Sequence, residues 1–163
     1  MRCFALAVWL SLGTVAGCIA PEPVVPPSAT TPPDVVGGAK LTIENWRKAY
    51  EARDLDALSR LYERDLDLVV VLDGVSYLGW SSVQAMLKDR IARTSAVRIR
   101  MKDIAVISIG TDAASAIATM SRESSAANGT LTTTESGTLT LVLRRTTTGW
   151  TIASEHYSYK RAS

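Results

Sequence analysis

Reactive and metal-binding side chains are scarce in this chain of 163 residues, which has one histidine, His156, and two cysteines, Cys3 and Cys18. That inventory cannot supply the ligand sets common at zinc sites, so no metal is expected. Glycine-rich phosphate loops, dinucleotide fingerprints and nucleophile elbows are also missing, and no cofactor is expected. Neither sign of charge is in excess: 18 basic residues against 16 acidic ones leave +2, with no footprint for nucleic acid. The alternating Arg98, Arg100 and Lys102 read as the solvated face of a strand. The amino-terminal apolar run, Phe4 to Leu12, is shorter than the roughly 20 residues that a spanning helix needs.

What is present begins with an address. Arg2 supplies a positive start, Phe4 to Leu12 an apolar stretch, and Gly13 to Gly17 small residues. The run ends in Val15-Ala16-Gly17-Cys18, which resembles the bacterial lipobox, where cleavage precedes the cysteine and the cysteine is lipidated. An ordinary secretory signal cut near Cys18 is the alternative. Lipidation at Cys18 is preferred because processing removes Cys3 and leaves Cys18 with no disulfide partner. By this resemblance the partner of the anchor is a lipid bilayer. Ile19, rather than an aspartate, follows Cys18, which implies the outer membrane facing the periplasm if the cell is Gram-negative.

All six prolines, Pro21, Pro23, Pro26, Pro27, Pro32 and Pro33, fall in one window with Gly37 and Gly38. Such composition reads as an extended tether or a disordered spacer; at about 3.1 Å per residue an extended one reaches roughly 60 Å. The expected organisation is a signal peptide over 1–17, a lipidated cysteine and tether over 18–39, and one folded domain over 40–163.

Within that domain, Leu41 to Arg53 has helical spacing at Ile43, Trp46, Ala49 and Tyr50, with Thr42 as a plausible N-cap. Asp54 caps a second short helix carrying Leu55, Leu58, Leu61 and Tyr62. Leu66 to Leu72 reads as a buried strand, Asp73-Gly74 as a turn, and Tyr77-Leu78-Gly79 as a brief extended piece. Ser81 and Gln84 form a capping-box pattern before a helix with Val83, Met86, Leu87, Arg90 and Ile91 at helical spacing. Strands follow. Val97, Ile99 and Met101 alternate, and the phase slips to Ile104 and Val106, which predicts a bulge near Lys102-Asp103. Gly110-Thr111-Asp112, Asn128-Gly129 and Thr146 to Gly149 punctuate the remaining strands of an α+β domain.

Ala52-Arg53-Asp54-Leu55-Asp56-Ala57-Leu58-Ser59-Arg60-Leu61-Tyr62, the later Gly79, and Gly137 to Arg145 followed by Trp150-Thr151-Ile152 resemble the NTF2-like superfamily. Within it the chain is most similar to the SnoaL-like (DUF4440-type) branch, over Leu41 to Tyr159. The resemblance implies a cone: three N-terminal helices packed on a curved antiparallel sheet, enclosing a pocket, often in a homodimer. It fixes no activity, because the fold carries isomerases, dehydratases, cyclases, ligand binders and interaction domains.

By strand alternation Trp150, Ile152, Ser154, His156 and Ser158 share one face, so His156 and Ser158 are expected in the pocket, with His156 a candidate general base. Asp73 falls where a ketosteroid-isomerase-like enzyme places its base, but the donors that such a mechanism needs are replaced by Trp46 and a position near Leu139. Tyr77 and Trp80 are expected at the pocket rim, and Trp46 and Tyr50 are ligand-stacking candidates that also suit a core. The sparse polar set favours non-catalytic binding of a small apolar ligand. The alternatives are an envelope interaction or dimerisation module, and an isomerase, dehydratase or cyclase using His156 with a carboxylate.

Overall fold

The computed structural model describes residues 33–129 and 132–161. In chain order these form α1 (Pro33–Ala52), α2 (Leu55–Ser59), β1 (Val69–Leu72), β2 (Val75–Leu78), α3 (Gly79–Ala92), β3 (Thr94–Ser108), β4 (Ala113–Ala126), β5 (Thr132–Thr146) and β6 (Gly149–Arg161). The strands make one sheet in the order β2-β1-β6-β5-β4-β3, antiparallel except for the parallel pair of β1 and β6. The α+β order read from the sequence is therefore present. The three helices are not an N-terminal group, however, because the β1–β2 hairpin separates α2 from α3. Cys18 and most of the proline-rich stretch lie outside the described residues, and among those residues no helix is long and apolar enough to cross a membrane.

Helix α1 begins inside the segment expected to be tether. Proline is tolerated at a first helical position because no N–H is needed there. Val35, Ala39, Ile43, Trp46 and Tyr50 then form a buried stripe along the helix. Gly38 is a packing residue within it: a Cβ there would sit 2.3 Å from the Trp150 indole nitrogen. Thr42 is likewise inside the helix and caps nothing. Its hydroxyl donates to the carbonyl oxygens of Gly38 (3.1 Å) and Trp150 (3.4 Å). Asp54 does cap α2, accepting from the Ala57 N–H at 2.8 Å.

The short elements that frame one end of the sheet owe their geometry to left-handed residues. Asp73 (φ 56°) and Gly74 (φ 74°) make the tight turn that pairs Leu72 with Val75. Helix α3 starts at Gly79 with Leu78 at its N-cap and no side-chain cap, so the Ser81 pattern does not open it. The strand predicted from Leu66 is shorter, beginning at Val69, and Leu66 is exposed.

Two of the three register shifts in the long strands reset the apolar pattern; the third lies between Thr94 and Ala96 at the start of β3. The first shifts the β3–β4 register between Lys102 and Ala105, where the apolar phase slips, with Asp103 at φ 53°. The second lies in β6. Val142 pairs with Ser154 but Leu143 pairs with Ile152, leaving Ala153 as the extra residue. Trp150 and Ile152 are buried before it; Ala153, Glu155 and Tyr157 are buried after it. One additional residue thus turns His156 and Ser158 to solvent, opposite to the predicted direction. On the covered side of the sheet, Ala114, Ala116, Met120, Leu139, Leu141 and Leu143 pack under α1 and α3 in a single core. Their small and large side chains alternate between neighbouring strands, which lets the helices approach closely.

Candidate functional site

A cavity of about 290 Å³ opens at the end of the cone between α3, the β1–β2 hairpin and strands β3 to β5. Tyr50 from α1, Tyr77 from β2, Met86 and Ile91 from α3 and Val97 from β3 supply its aromatic and aliphatic surface. The rest of the wall is charged: Asp73, Asp89, Arg90, Arg93, Arg122 and Glu135 all border it. His156 and Ser158 are among the polar groups expected in the pocket from the sequence; the fold lines it with these charged side chains instead.

The charges are arranged in pairs of unequal quality. Arg122 and Glu135 face each other across β4 and β5, and Arg122 Nη2 donates to Glu135 Oε2 at 2.5 Å with both side chains nearly buried. Arg122 Nε is buried and has no acceptor among the described residues. Arg90 lies 3.7 Å from Asp73, too long for a hydrogen bond, although the arginine side chain is only 19% exposed. Arg93 and Asp89 form an exposed pair at the rim.

Beneath the cavity floor is a buried chain of hydrogen bonds. Trp46 Nε1 donates to the Tyr62 hydroxyl at 2.7 Å, and that hydroxyl donates to Glu155 Oε2 at 2.5 Å. The Tyr50 ring separates this chain from the cavity, packing on Trp46 with ring centroids 4.8 Å apart. Burial raises the Glu155 carboxyl above the usual carboxylate range, opposed by the Tyr62 hydrogen bond and the positive field of Arg90. Burial, and then the nearby Glu155, raise the phenols of Tyr62 and Tyr50 as well. This cluster favours neutral forms, and its one full cation neighbour is Arg90.

Of the predicted site residues, the fold brings Tyr50, Tyr77 and Asp73 together at the cavity. Trp46 belongs to the core beneath it. Trp80 instead packs near Tyr62 and under the Arg64 guanidinium, 5.4 Å from the ring centre. His156 and Ser158 border a shallow depression on the outer face, beside Asp73 and Gly74. Their misplacement has one cause, the Ala153 bulge. Glu155, Arg122 and Glu135 were not foretold. Arg90 carried a legible signal, a charged residue on the apolar stripe of α3, where burial without a partner would be unfavourable. Among the described residues no group of histidine, cysteine or carboxylate side chains could hold a metal ion.

Comparison with known proteins agrees with this architecture. The family model of the SnoaL-like domain matches residues 40–162. A candidate aromatic ring hydroxylase from Novosphingobium aromaticivorans superposes with a TM-score of 0.72 at 19% identity, over 80% of this chain and 95% of its own. A candidate dehydratase of the NTF2-like family from Streptomyces avermitilis gives 0.68 at 22% identity, over 76% of this chain and 94% of its own. An NTF2-like superfamily protein from Salmonella enterica gives 0.70 at 19% identity, over 76% and 89%. No protein of curated function matches the chain in sequence. At such identities the structural likeness speaks for the fold alone. The family match covers most of the chain, which therefore belongs to the SnoaL-like family and has the NTF2-like fold.

Proposed function

We propose that the domain binds a small, largely apolar molecule in its cone cavity without transforming it, and that acylated Cys18 tethers the domain in the bacterial cell envelope. The observation that carries the binding reading is the cavity itself. It is about 290 Å³, has an aromatic and aliphatic floor, and receives no histidine. Its charged wall adds that the ligand has a polar end as well as an apolar body. The tether rests on Val15-Ala16-Gly17-Cys18 and Ile19, with the outer membrane facing the periplasm as the expected site in a Gram-negative cell.

Binding is tested by thermal unfolding of the full chain in detergent against a panel of small ring compounds. A true ligand at 100 times its Kd adds about 2.7 kcal/mol. Val97→Phe, which fills the cavity wall, removes that gain while leaving the unliganded fold intact. A panel without a single stabilising compound would count against the reading. For the anchor, Cys18→Ala moves the protein from the membrane fraction to the soluble one; unchanged membrane retention rejects lipidation.

Two alternatives retain specific support. The outer face of the sheet aligns Ile107 with Val142 through Ser115, and Ile117 with His156 through Thr140, with Ile107 and Ile117 64% and 46% exposed. That strip suits an interaction module or a homodimer. An isomerase, dehydratase or cyclase reading draws on the buried Tyr62–Glu155 pair below the cavity in place of the outward His156. Solvent deuterium exchange into ring ketones, abolished by Glu155→Gln, would promote it over binding.

A further inference from the structure

Two arginines on this domain are treated very differently. Arg47, on the outer side of α1, makes three hydrogen bonds to the carboxylates of Glu44 and Glu51 while its side chain is 25% exposed. Arg90 is more buried, at 19%, yet its guanidinium makes no hydrogen bond to any group among the described residues. Its ion-pair partner among the described residues is Asp73 at 3.7 Å, and that aspartate is 39% exposed on a turn. A guanidinium taken out of water calls for acceptors at hydrogen-bond distance, best supplied by the two oxygens of a carboxylate. Arg90 faces a cavity instead. Arg122 borders the same cavity with Nη2 on Glu135 and a buried Nε lacking an acceptor.

We propose that the cavity is a site for a small organic monocarboxylate, whose carboxylate takes the place of Asp73 on Arg90 while its ring packs on Tyr50, Met86 and Val97. This rests on the reading of the cavity as a ligand site and names the class of ligand. Exchanging one carboxylate for another keeps Arg90 compensated, which a neutral ligand could do only by leaving Asp73 in place. Charge on the ligand is limited to one negative unit, because Asp73 and Glu135 border the same space and would repel a dianion such as a phosphate ester. Arg122 adds positive potential from the β4 side. The volume of about 290 Å³ admits a ring with one acid group.

The probes 2-naphthoate and 2-naphthamide share one ring and near-equal size, differ in the charge and hydrogen bonding of the head group, and test the idea by calorimetric titration of the full chain in detergent. The acid is expected to bind at least about tenfold more tightly than the amide, and raising ionic strength should narrow the gap. Arg90→Gln should weaken the acid about tenfold or more and leave the amide unchanged. Asp73→Asn, which keeps Arg90 and removes its competitor, should tighten the acid several-fold; asparagine tolerates the left-handed backbone there. If Arg90→Gln does not fold, the acid–amide ratio and Asp73→Asn still decide. Equal binding of both probes, indifferent to Asp73→Asn, would overturn the carboxylate assignment and leave the cavity reading standing. Binding of neither probe would overturn both.

Discussion

The two faces of β6 hold opposite chemistry within four consecutive residues. Glu155 and Tyr157 are buried, the first accepting a hydrogen bond from Tyr62 and the second donating one to the Met120 carbonyl at 3.4 Å. His156 and Ser158 stand in solvent, with His156 beside Thr140 of β5 and Val71 of β1. Without the extra residue at Ala153 the faces would be exchanged, and a carboxylate would meet water where an imidazole met the core. A single bulge thus decides which titratable group belongs to the interior. It is also why the histidine does not provide a base for the cavity.

The difference between the faces can be broken most severely from the inner side. Tyr62→Phe removes the hydroxyl that serves both Trp46 Nε1 and Glu155 Oε2. Two buried polar groups then lose their partner, each worth about 1–3 kcal/mol, so the domain should lose roughly 2–6 kcal/mol. Chemical denaturation checks this, and a loss below about 1 kcal/mol would mean that the chain of bonds is not formed.

Glu155→Gln sharpens the contrast by pH. A carboxyl held above its ordinary value of 4.5 keeps its proton in the folded chain after the unfolded chain has released it. Its contribution to stability is therefore full below pH 4.5 and declines as pH rises from there through the folded value. The wild type should lose stability relative to Glu155→Gln over that window, at up to about 1.4 kcal/mol per pH unit. Parallel stability curves for the two proteins would contradict a raised carboxyl. The smallest effect belongs to the outer face: His156→Ala should shift stability by no more than about 0.5 kcal/mol, measured in the same way.

These faces also mark where the sequence is readable. Helix stripes, the Asp54 cap and the Asp73-Gly74 turn follow from local spacing and side-chain chemistry, and the fold confirms them. The bulge in β3 is legible because Met101 and Ile104 are unmistakably apolar on either side of it. In β6 the same slip is written in Trp150 and Ile152 against Tyr157 and Tyr159, but small Ala153 and Ser154 hide where it falls. The start of α1 is obscured for another reason: Gly38 looks like a linker residue until Trp150 is brought against it in three dimensions. The charged cavity wall was least legible. Arg90, Arg122, Asp73 and Glu135 come from four separate elements, and only the folded sheet places them around one space.

Because His156 is the sole histidine, its reactivity with diethyl pyrocarbonate, followed by mass mapping, reports the direction of β6 without mutation. The outward placement predicts carbethoxylation of the native chain at a rate close to that of the urea-unfolded chain, unaffected by a saturating cavity ligand. Strong protection in the native state, deepened by that ligand, would return His156 to the cavity and contradict the account.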